Sequence, residues 1–333
     1  MKKVLSLILA LAMVFALAAC GEKQPSNDGN TDGDKPARGN VIMTFGTADT
    51  GGSMYPAGAA VSQVWTNNVQ GVKCNTQTST GSFQNCQDVS TGEVDVAVAT
   101  SDVVLNAYNG TGKFADIGKL DNLRVIGAVY TSVLSGVALK SSGLTYIHEL
   151  LGKRVAVGPA ASATENATLA AFDAMGIDSS NTSLENLGLG DGADSVGDGI
   201  LDAAFGFAGL PIGGQLNLAA TKEIQVLDMT QEEIDKVLAG NAAYIQTKIP
   251  AGTYTGQDND ANTFGVKCLI IVTADMDADL VYDLCKAMNE HTEEMAAGNA
   301  LLKDMTDPSF LCTQMPIPLH DGAQKYYSEQ GLI

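Results

Sequence analysis

The chain has 333 residues, of which 38 are acidic and 19 are basic, so its formal net charge at pH 7 is −19. This excess of negative charge argues against nucleic acid or an anionic membrane surface as a partner, although local dipoles can still hold a small anion. The length predicts about two domains with a substantial core.

The N-terminal residues have the pattern of a secretory leader. Two lysines precede an apolar run of roughly 16 residues, which is short for a membrane span and typical of a signal peptide. Residues 17–20, Leu-Ala-Ala-Cys, resemble a bacterial lipobox, whose cysteine becomes the lipidated first residue. Cleavage after Ala18 and a plain membrane helix are the alternatives. We expect a signal peptide over 1–19 and a lipid anchor on Cys20, which would keep the protein extracytoplasmic, at the outer face of the cell membrane or in the periplasm.

Residues 20–40 are predicted to form a flexible tether, because they are rich in Gly, Pro, Asn and Asp and have almost no apolar side chains. No later segment is apolar for long enough to span a bilayer. The cysteines beyond the tether show no Cys-x-x-Cys spacing, and we expect most of them to be small buried residues, with one disulfide possible. They are Cys74, Cys86, Cys268, Cys285 and Cys312.

Short apolar runs alternate with helical segments from residue 41 onward, which predicts parallel sheets with helices on both faces. The predicted strands are 41–45, 72–78, 95–100, 123–130, 134–140, 154–158, 202–209, 224–229 and 264–274. A capping-box pattern at Thr230 predicts a helix start, and a long helix is expected over 277–297. Two successive strand-loop-helix series indicate an α/β protein of two lobes, with 41–136 and 268–333 in lobe I and 137–267 in lobe II.

Four of the loops that follow strands put hydroxyl or glycine residues at the start of a helix. In open α/β sheets, ligands bind beyond the carboxyl ends of the strands, so these loops form the candidate site. The unpaired N–H groups of a helix start can bind an anion; the alternative is that the hydroxyls only cap their helices. The loops are Thr50-Gly51-Gly52-Ser53, Thr80-Gly81-Ser82, Thr100-Ser101-Asp102 and Ala161-Ser162-Ala163-Thr164.

The first of these loops differs from a phosphate-binding P-loop at one position, because Gly52 stands where the pattern has lysine. The arginines do not replace the missing cation. Arg38 lies in the tether, and Arg124 and Arg154 stand at the far ends of their strands from the loops. Backbone amides and hydroxyls must therefore do most of the binding, which favours a singly charged carboxylate over a polyphosphate.

Signatures of an enzyme are missing from the sequence. There is no Gly-x-Ser-x-Gly elbow, and the histidines (His148, His291 and His320) are isolated residues in predicted helical or terminal segments. We therefore predict a binding protein rather than an enzyme, with neither a metal nor a cofactor. The alternative from a different class is a surface-anchored hydrolase or transferase that uses the glycine loops as oxyanion or phosphate sites.

An ordered set of motifs resembles the TAXI-type solute-binding subunits of TRAP (tripartite ATP-independent periplasmic) transporters. The motifs are Gly-Gly-Ser-x-Tyr-Pro at 51–56, Thr-Gly-Ser-x-x-Asn at 80–85, Gly-Glu-x-Asp at 92–95 and Pro-Leu-His-x-Gly-Ala-x-x-Tyr-Tyr at 318–327. The resemblance covers nearly the whole chain after the tether. It implies a two-lobed periplasmic-binding-protein fold (type II-like) that closes on its ligand and delivers it to a TRAP membrane permease. A receptor for an ABC importer or a sensor with the same fold is the alternative.

The resemblance also implies a ligand and a set of contacts. Members of the family are associated with glutamate and other small carboxylates, so an amino acid or a dicarboxylate is expected. The implied contacts are Thr50, Gly51, Gly52, Ser53, Met54, Tyr55, Ser82, Asn85, Thr100, Asp102, Ser162, Thr164, Ala208 and Pro211.

The sequence departs from the family pattern at three places. Met54 stands where the family has a second tyrosine, and Thr100 where it has glutamine, so the ligand can differ from glutamate. The family has a Gly-Ser-Gly-Thr loop where this chain has Ala161 and Ala163 in the glycine positions. Because alanine disfavours left-handed backbone geometry, we expect a tighter or differently aimed loop there.

Overall fold

The strands of the protein form one mixed sheet in the computed structural model, which describes residues 39–50 and 52–333. The predicted leader, the lipidation site at Cys20 and the loop residue Gly51 lie outside the described residues. Along the sheet the order is β2-β1-β3-β10-β4-β7-β5-β6, with β8 paired to β4 and β9 paired to β10.

The secondary-structure elements alternate along the chain much as the sequence predicts. The strands are β1 (Val41–Gly46), β2 (Val72–Gln77), β3 (Val96–Thr100), β4 (Leu123–Leu139), β5 (Arg154–Ala156), β6 (Ser183–Glu185), β7 (Ala203–Ala208), β8 (Ile224–Val226), β9 (Ile245–Ile249) and β10 (Ala261–Thr273). The helices are α1 (Met54–Asn68), α2 (Ser82–Thr91), α3 (Ser101–Asn109), α4 (Ala163–Ala174), α5 (Leu189–Gly197), α6 (Gly213–Thr221), α7 (Gln231–Gly240), α8 (Ala278–Glu290), α9 (Thr292–Gly298), α10 (Pro308–Cys312) and α11 (Asp321–Glu329). Short 3-10 helices span Gly112–Phe114, Lys140–Ser142, Ile147–Leu150 and Ala300–Thr306.

Two groups of parallel strands build the two lobes. In the first lobe β2, β1 and β3 are parallel, and in the second β6, β5 and β7 are parallel. Helices α1 to α3 and α8 to α11 belong to the first lobe, and α4 to α7 to the second. The expected two-lobed α/β fold is thus the fold observed, and each parallel strand delivers the loop at its carboxyl end to the same edge of its sheet.

Strands β4 and β10 join the lobes. β4 has 17 residues and pairs with β10 along much of its length and with β7 through Val133–Ala138. β10 pairs with β3 in the first lobe and with β9 in the second. The predicted lobe boundaries fall within these two strands, where we propose the hinge.

The structure corrects two element predictions. The separate strands predicted at 123–130 and 134–140 are one strand, because the residues between them stay extended and pair with Gly265–Lys267 of β10. The single helix predicted over 277–297 is two helices, since His291 leaves the helical region between α8 and α9. The capping box at Thr230 is confirmed: its hydroxyl accepts from the Glu233 amide, and the Glu233 carboxylate accepts from the Thr230 amide at 2.7 Å.

The five cysteines beyond the tether are buried and free, so the disulfide considered possible is not formed. Burial raises the pKa of Cys74 to about 11 and raises those of the other four thiols as well. The thiols therefore stay protonated and serve as small apolar residues of the core. Among the described residues, no helix is both long and apolar enough to cross a membrane.

Candidate ligand-binding site

A cavity lies between the two lobes, at the point where α1, α2 and α4 begin. The space within it is about 440 Å³, including its opening to solvent. Its polar lining consists mainly of hydroxyl residues, namely Ser53, Thr80, Ser82, Tyr130, Ser162 and Thr164.

The starts of α2 and α4 lie next to each other in the lining of this cavity. Gly81 precedes α2 with φ +114°, a conformation that favours glycine, and a Cβ built on it would lie 3.7 Å from the Ser162 Cβ. Ser162 caps α4 by accepting from the Glu165 amide. The first N–H groups of both helices have no partner within the helix, and both ends carry partial positive charge. Two positive ends this close favour an anion between them.

Three hydroxyls beside these helix starts accept hydrogen bonds from backbone amides. The oxygens of Ser82, Ser162 and Thr164 accept from the amides of Thr100, Glu165 and Phe207, each at 3.1 Å. None of the three donates its own hydrogen in the hydrogen bonds found among the described residues. A hydroxyl whose oxygen is occupied in this way can donate to an anion.

Tyr130 is a member of the cavity that the sequence did not indicate. Its side chain is 1% exposed, and its hydroxyl interacts with the side chains of Ser132 and Cys268, which do not line the cavity. Burial raises the pKa of Tyr130 well above its ordinary value, so the group stays protonated and can act as a donor. An aromatic residue in the middle of a strand has the sequence pattern of an ordinary core residue, so no local signal could have identified it.

The rest of the cavity is apolar. Met54, Leu189, Phe207 and Ala208 line it, together with smaller residues. Asp49, at an exposed position on the rim, is the single charged side chain among the described lining residues. The described lining thus contains no lysine or arginine, in agreement with the small number of arginines in the sequence and their distance from the loops.

The structure separates several predicted contacts from the cavity. The Asn85 amide donates to the carbonyls of Thr47 and Val98 at 2.6 and 2.7 Å, and so ties the ends of β1 and β3 together. Thr100 is fully buried behind Ser82, and Tyr55 is half-buried and does not line the cavity.

The loop before α1 contributes less to the cavity than its likeness to a P-loop suggests. Gly52, Ser53 and Met54 line the cavity, but the Gly52 amide donates to the Asp49 carbonyl at 3.1 Å. Thr50 lines a separate groove on the outer side of this loop.

The groove beside Thr50 also contains the turn that follows β7. Pro211 lies in this groove rather than in the cavity, whereas Ala208 lines the cavity itself. Gly209 lies between them, and the Ser53 hydroxyl donates to its carbonyl at 3.1 Å. This bond joins the start of α1 in the first lobe to the second lobe.

Asp102 forms a contact between the lobes and does not line the cavity. It is fully buried at the start of α3, and its Oδ2 accepts from the Asn166 amide at 2.7 Å and from the Tyr244 hydroxyl at 3.1 Å, both in the second lobe. Burial raises the pKa of Asp102. Nearby, Lys113 of the first lobe forms an ion pair with Glu165 of the second. The described arrangement is therefore one in which the lobes are in contact around the cavity.

The loop before α4 adopts a strained conformation. Ala161 has φ +60°, and its amide donates to the Glu165 carboxylate at 2.8 Å. The expectation that alanine keeps this position out of left-handed geometry is wrong for Ala161. The hydrogen bond to Glu165 and the cap at Ser162 hold the loop in this form despite a steric cost of about 1–2 kcal/mol.

Replacing Ala161 with glycine is expected to stabilise the protein by about 0.5–1 kcal/mol, because relief of the left-handed strain exceeds the added entropy of the unfolded chain. Urea unfolding measures the change. Ala242→Gly, at an exposed position without positive φ, is the control and should be destabilising. If the two substitutions destabilise the protein equally, the conclusion that Ala161 is strained is wrong.

The fold is of the two-lobed periplasmic-binding-protein type, with a cavity between the lobes. More particularly, the chain belongs to the NMT1-like family, whose profile matches residues 45–331. It is similar to the alkanesulfonate-binding protein SsuA from Xanthomonas axonopodis pv. citri bound to MOPS, with 14% identity, a TM-score of 0.50, and coverage of 88% of this chain and 85% of that one. It is also similar to a putative L-cystine ABC transporter protein from Listeria monocytogenes, with 15% identity, a TM-score of 0.47 and coverage of 80% and 96%. At these identities the likeness concerns the fold alone.

Proposed function

We propose that the protein is an extracytoplasmic receptor that captures a small carboxylate between its lobes and delivers it to a membrane importer. The observation that supports the proposal is that the starts of α2 and α4 lie side by side in the cavity lining, with hydroxyl groups beside them. A hydrogen bond to a charged group contributes about 1.5–3 kcal/mol, and a partly buried helix start up to about 2 kcal/mol. These groups can replace the hydration of a carboxylate without any lysine or arginine.

The receptor binds and releases its ligand without making or breaking a covalent bond. The open lobes admit the carboxylate, the donors of both lobes bind it, and bending of β4 and β10 brings the lobes together. The described lining offers no histidine, cysteine or lysine to act on a bound substrate. This composition supports a receptor and weighs against the hydrolase or transferase alternative.

Two kinds of importer are candidates for the partner. Proteins of similar fold are described as binding alkanesulfonate or as parts of amino acid ABC transporters, which favours an ABC importer. The motif resemblance favours a TRAP permease with a TAXI-type receptor instead. The lipid anchor predicted at Cys20 would hold the receptor at the membrane in either case. Uptake of the ligand by cells that express the receptor with its permease distinguishes the two importers. Uptake that depends on ATP indicates an ABC importer, and uptake that depends on an ion gradient indicates a TRAP permease.

A thermal-shift panel tests the receptor function. Small carboxylates and amino acids should raise the melting temperature of the protein, and phosphorylated compounds should not. Ser82→Ala and Ser162→Ala should each weaken binding of the best carboxylate by about tenfold or more, since each removes a hydrogen bond to a charge. Ser328→Ala, an exposed change in α11, is the control. A response to phosphorylated compounds alone, or unchanged affinity in both cavity variants, would contradict the proposal.

A further inference from the structure

The cavity has one donor-rich end and one apolar end. The hydroxyls of Ser82, Ser162 and Thr164 lie where α2 and α4 meet. A second junction of the lobes lies where α1 and α5 begin, and there the Leu189 side chain comes within 3.7 Å of the position that a Cβ on Gly52 would take. The charge-binding groups are thus concentrated in one part of the cavity.

The start of α1 is poorly suited to a second carboxylate. Two of its donors are already used, because the Gly52 amide donates to the Asp49 carbonyl and the Ser53 hydroxyl donates to the Gly209 carbonyl. Pro56, in the first turn, has no N–H to donate. The Asp49 carboxylate on the rim adds a charge of the same sign as the ligand.

The start of α5 is also occupied by a charge of the protein. Asp191 lies in the first turn of this helix, and its Oδ2 is 3.4 Å from the position that a Cβ on Gly188 would take. A carboxylate at this place already interacts with the positive end of the helix. A second ligand carboxylate would therefore meet like charge here as well.

The remaining wall of the cavity favours an apolar group. Met54 is buried, and Leu189 and Ala208 complete this part of the lining. A ligand tail placed among these side chains is removed from water without leaving a polar group unpaired.

We infer that the cavity selects a monocarboxylate with a short apolar tail and rejects dicarboxylates, an inference that rests on the proposed receptor function. The carboxylate lies beside the starts of α2 and α4, and the tail lies against Met54 and Leu189. A fatty acid and an apolar amino acid share this chemistry. They differ in the ammonium group, which Asp49 is placed to attract at the rim.

Titration calorimetry with matched ligands tests the inference. The pairs are 4-methylpentanoate with glutarate, and leucine with glutamate. If acids without an ammonium group bind better, 4-methylpentanoate should bind at least tenfold more tightly than glutarate. If amino acids bind better, leucine should bind at least tenfold more tightly than glutamate. 4-Methylpentanamide, which has the same tail and no charge, should bind at least tenfold more weakly than 4-methylpentanoate. The relative affinities of 4-methylpentanoate and leucine show whether the preferred ligand carries an ammonium group.

A charge introduced at the apolar end provides a second test. Leu189 is half-buried and lines the cavity, so Leu189→Lys should weaken binding of the apolar ligand at least tenfold and strengthen binding of the matched dicarboxylate. Leu151→Lys, which changes a 56% exposed leucine outside the cavity, should leave both affinities unchanged.

Different results would overturn the ligand preference and the receptor function. Tighter binding of glutarate and glutamate than of their partners to the unmodified protein overturns the inference and leaves the receptor function standing. Absence of binding by all four acids overturns the receptor function itself. If Leu189→Lys does not fold, the comparison of ligand pairs on the unmodified protein still decides the matter.

Discussion

Replacing Asp102 with alanine is expected to weaken ligand binding by about 10- to 100-fold, although Asp102 does not line the cavity. Its carboxylate accepts from Asn166 and Tyr244 of the opposite lobe, so the change removes the acceptor of the buried Tyr244 hydroxyl and the shorter of the two hydrogen bonds donated by the half-buried Asn166 amide. Each unpaired group costs about 1–3 kcal/mol, and every 1.4 kcal/mol is a tenfold change in affinity. The cost falls on the closed form, because lobe opening would give both donors access to water. Calorimetry with the preferred carboxylate measures the loss.

Asp102→Asn is the matched control, since its amide oxygen can accept the same two bonds without a charge. It should retain affinity within a few-fold of the unmodified protein. Losses of equal size in the alanine and asparagine variants would contradict the role assigned to the hydrogen bonds, and an unchanged affinity in Asp102→Ala would contradict the role of the contact.

The pH dependence of stability should also differ between the unmodified protein and Asp102→Asn. Burial raises the pKa of Asp102 above its ordinary value of 3.8, so the folded state binds its proton more tightly than the unfolded state does. The groups that face it, Tyr244, Cys86 and Cys268, have raised pKa values and stay neutral. The free energy of unfolding of the unmodified protein should therefore rise relative to that of Asp102→Asn as the pH falls from the raised pKa toward 3.8. The opposite trend would show that the carboxylate is stabilised as an anion.

Replacing Gly209 with alanine is expected to obstruct lobe closure. A Cβ at this position would lie 1.7 Å from Leu301 Cδ1 and 3.2 Å from Tyr130 Cδ2. Leu301 belongs to the 3-10 helix Ala300–Thr306 and reaches Gly209 from the first lobe. Overpacking of this kind costs about 1–3 kcal/mol, which corresponds to an affinity loss of about 5- to 150-fold if it acts on the closed form.

The double variant Gly209→Ala with Leu301→Ala identifies the cause of this loss. Removing the leucine side chain frees the space that the new methyl group needs, so the double variant should recover most of the affinity. Gly240→Ala is the control, since a Cβ there meets nothing within 4 Å. Failure of Leu301→Ala to restore binding would show that the loss does not come from this contact.

The sequence predicts the architecture well because the alternation of apolar runs and helix starts is local. The same holds for the capping box at Thr230 and for the hydroxyls at the starts of α2 and α4, whose positions follow from the strands before them. Whether these hydroxyls bind a ligand stays a prediction. The break expected between residues 130 and 134 does not occur, because pairing with β10 keeps that segment extended.

Other features of the site depend on contacts that no local pattern encodes. Tyr130 becomes a cavity residue because β4 crosses between the lobes, and Asp102 becomes a contact between the lobes because Asn166 and Tyr244 fold against it. The Gly52 amide, which the P-loop likeness suggested as an anion donor, is used within its own turn. In each case the tertiary arrangement determines which polar atoms remain for a ligand.

A crystal structure of the protein with the carboxylate that binds most tightly tests the central claim most directly. Both lobes should contact one carboxylate, with its oxygens about 3 Å from the hydroxyls of Ser82, Ser162 and Thr164 and its tail toward Leu189. A carboxylate bound outside the cavity between the lobes, or one whose charged group lies at the Met54 end, would contradict it.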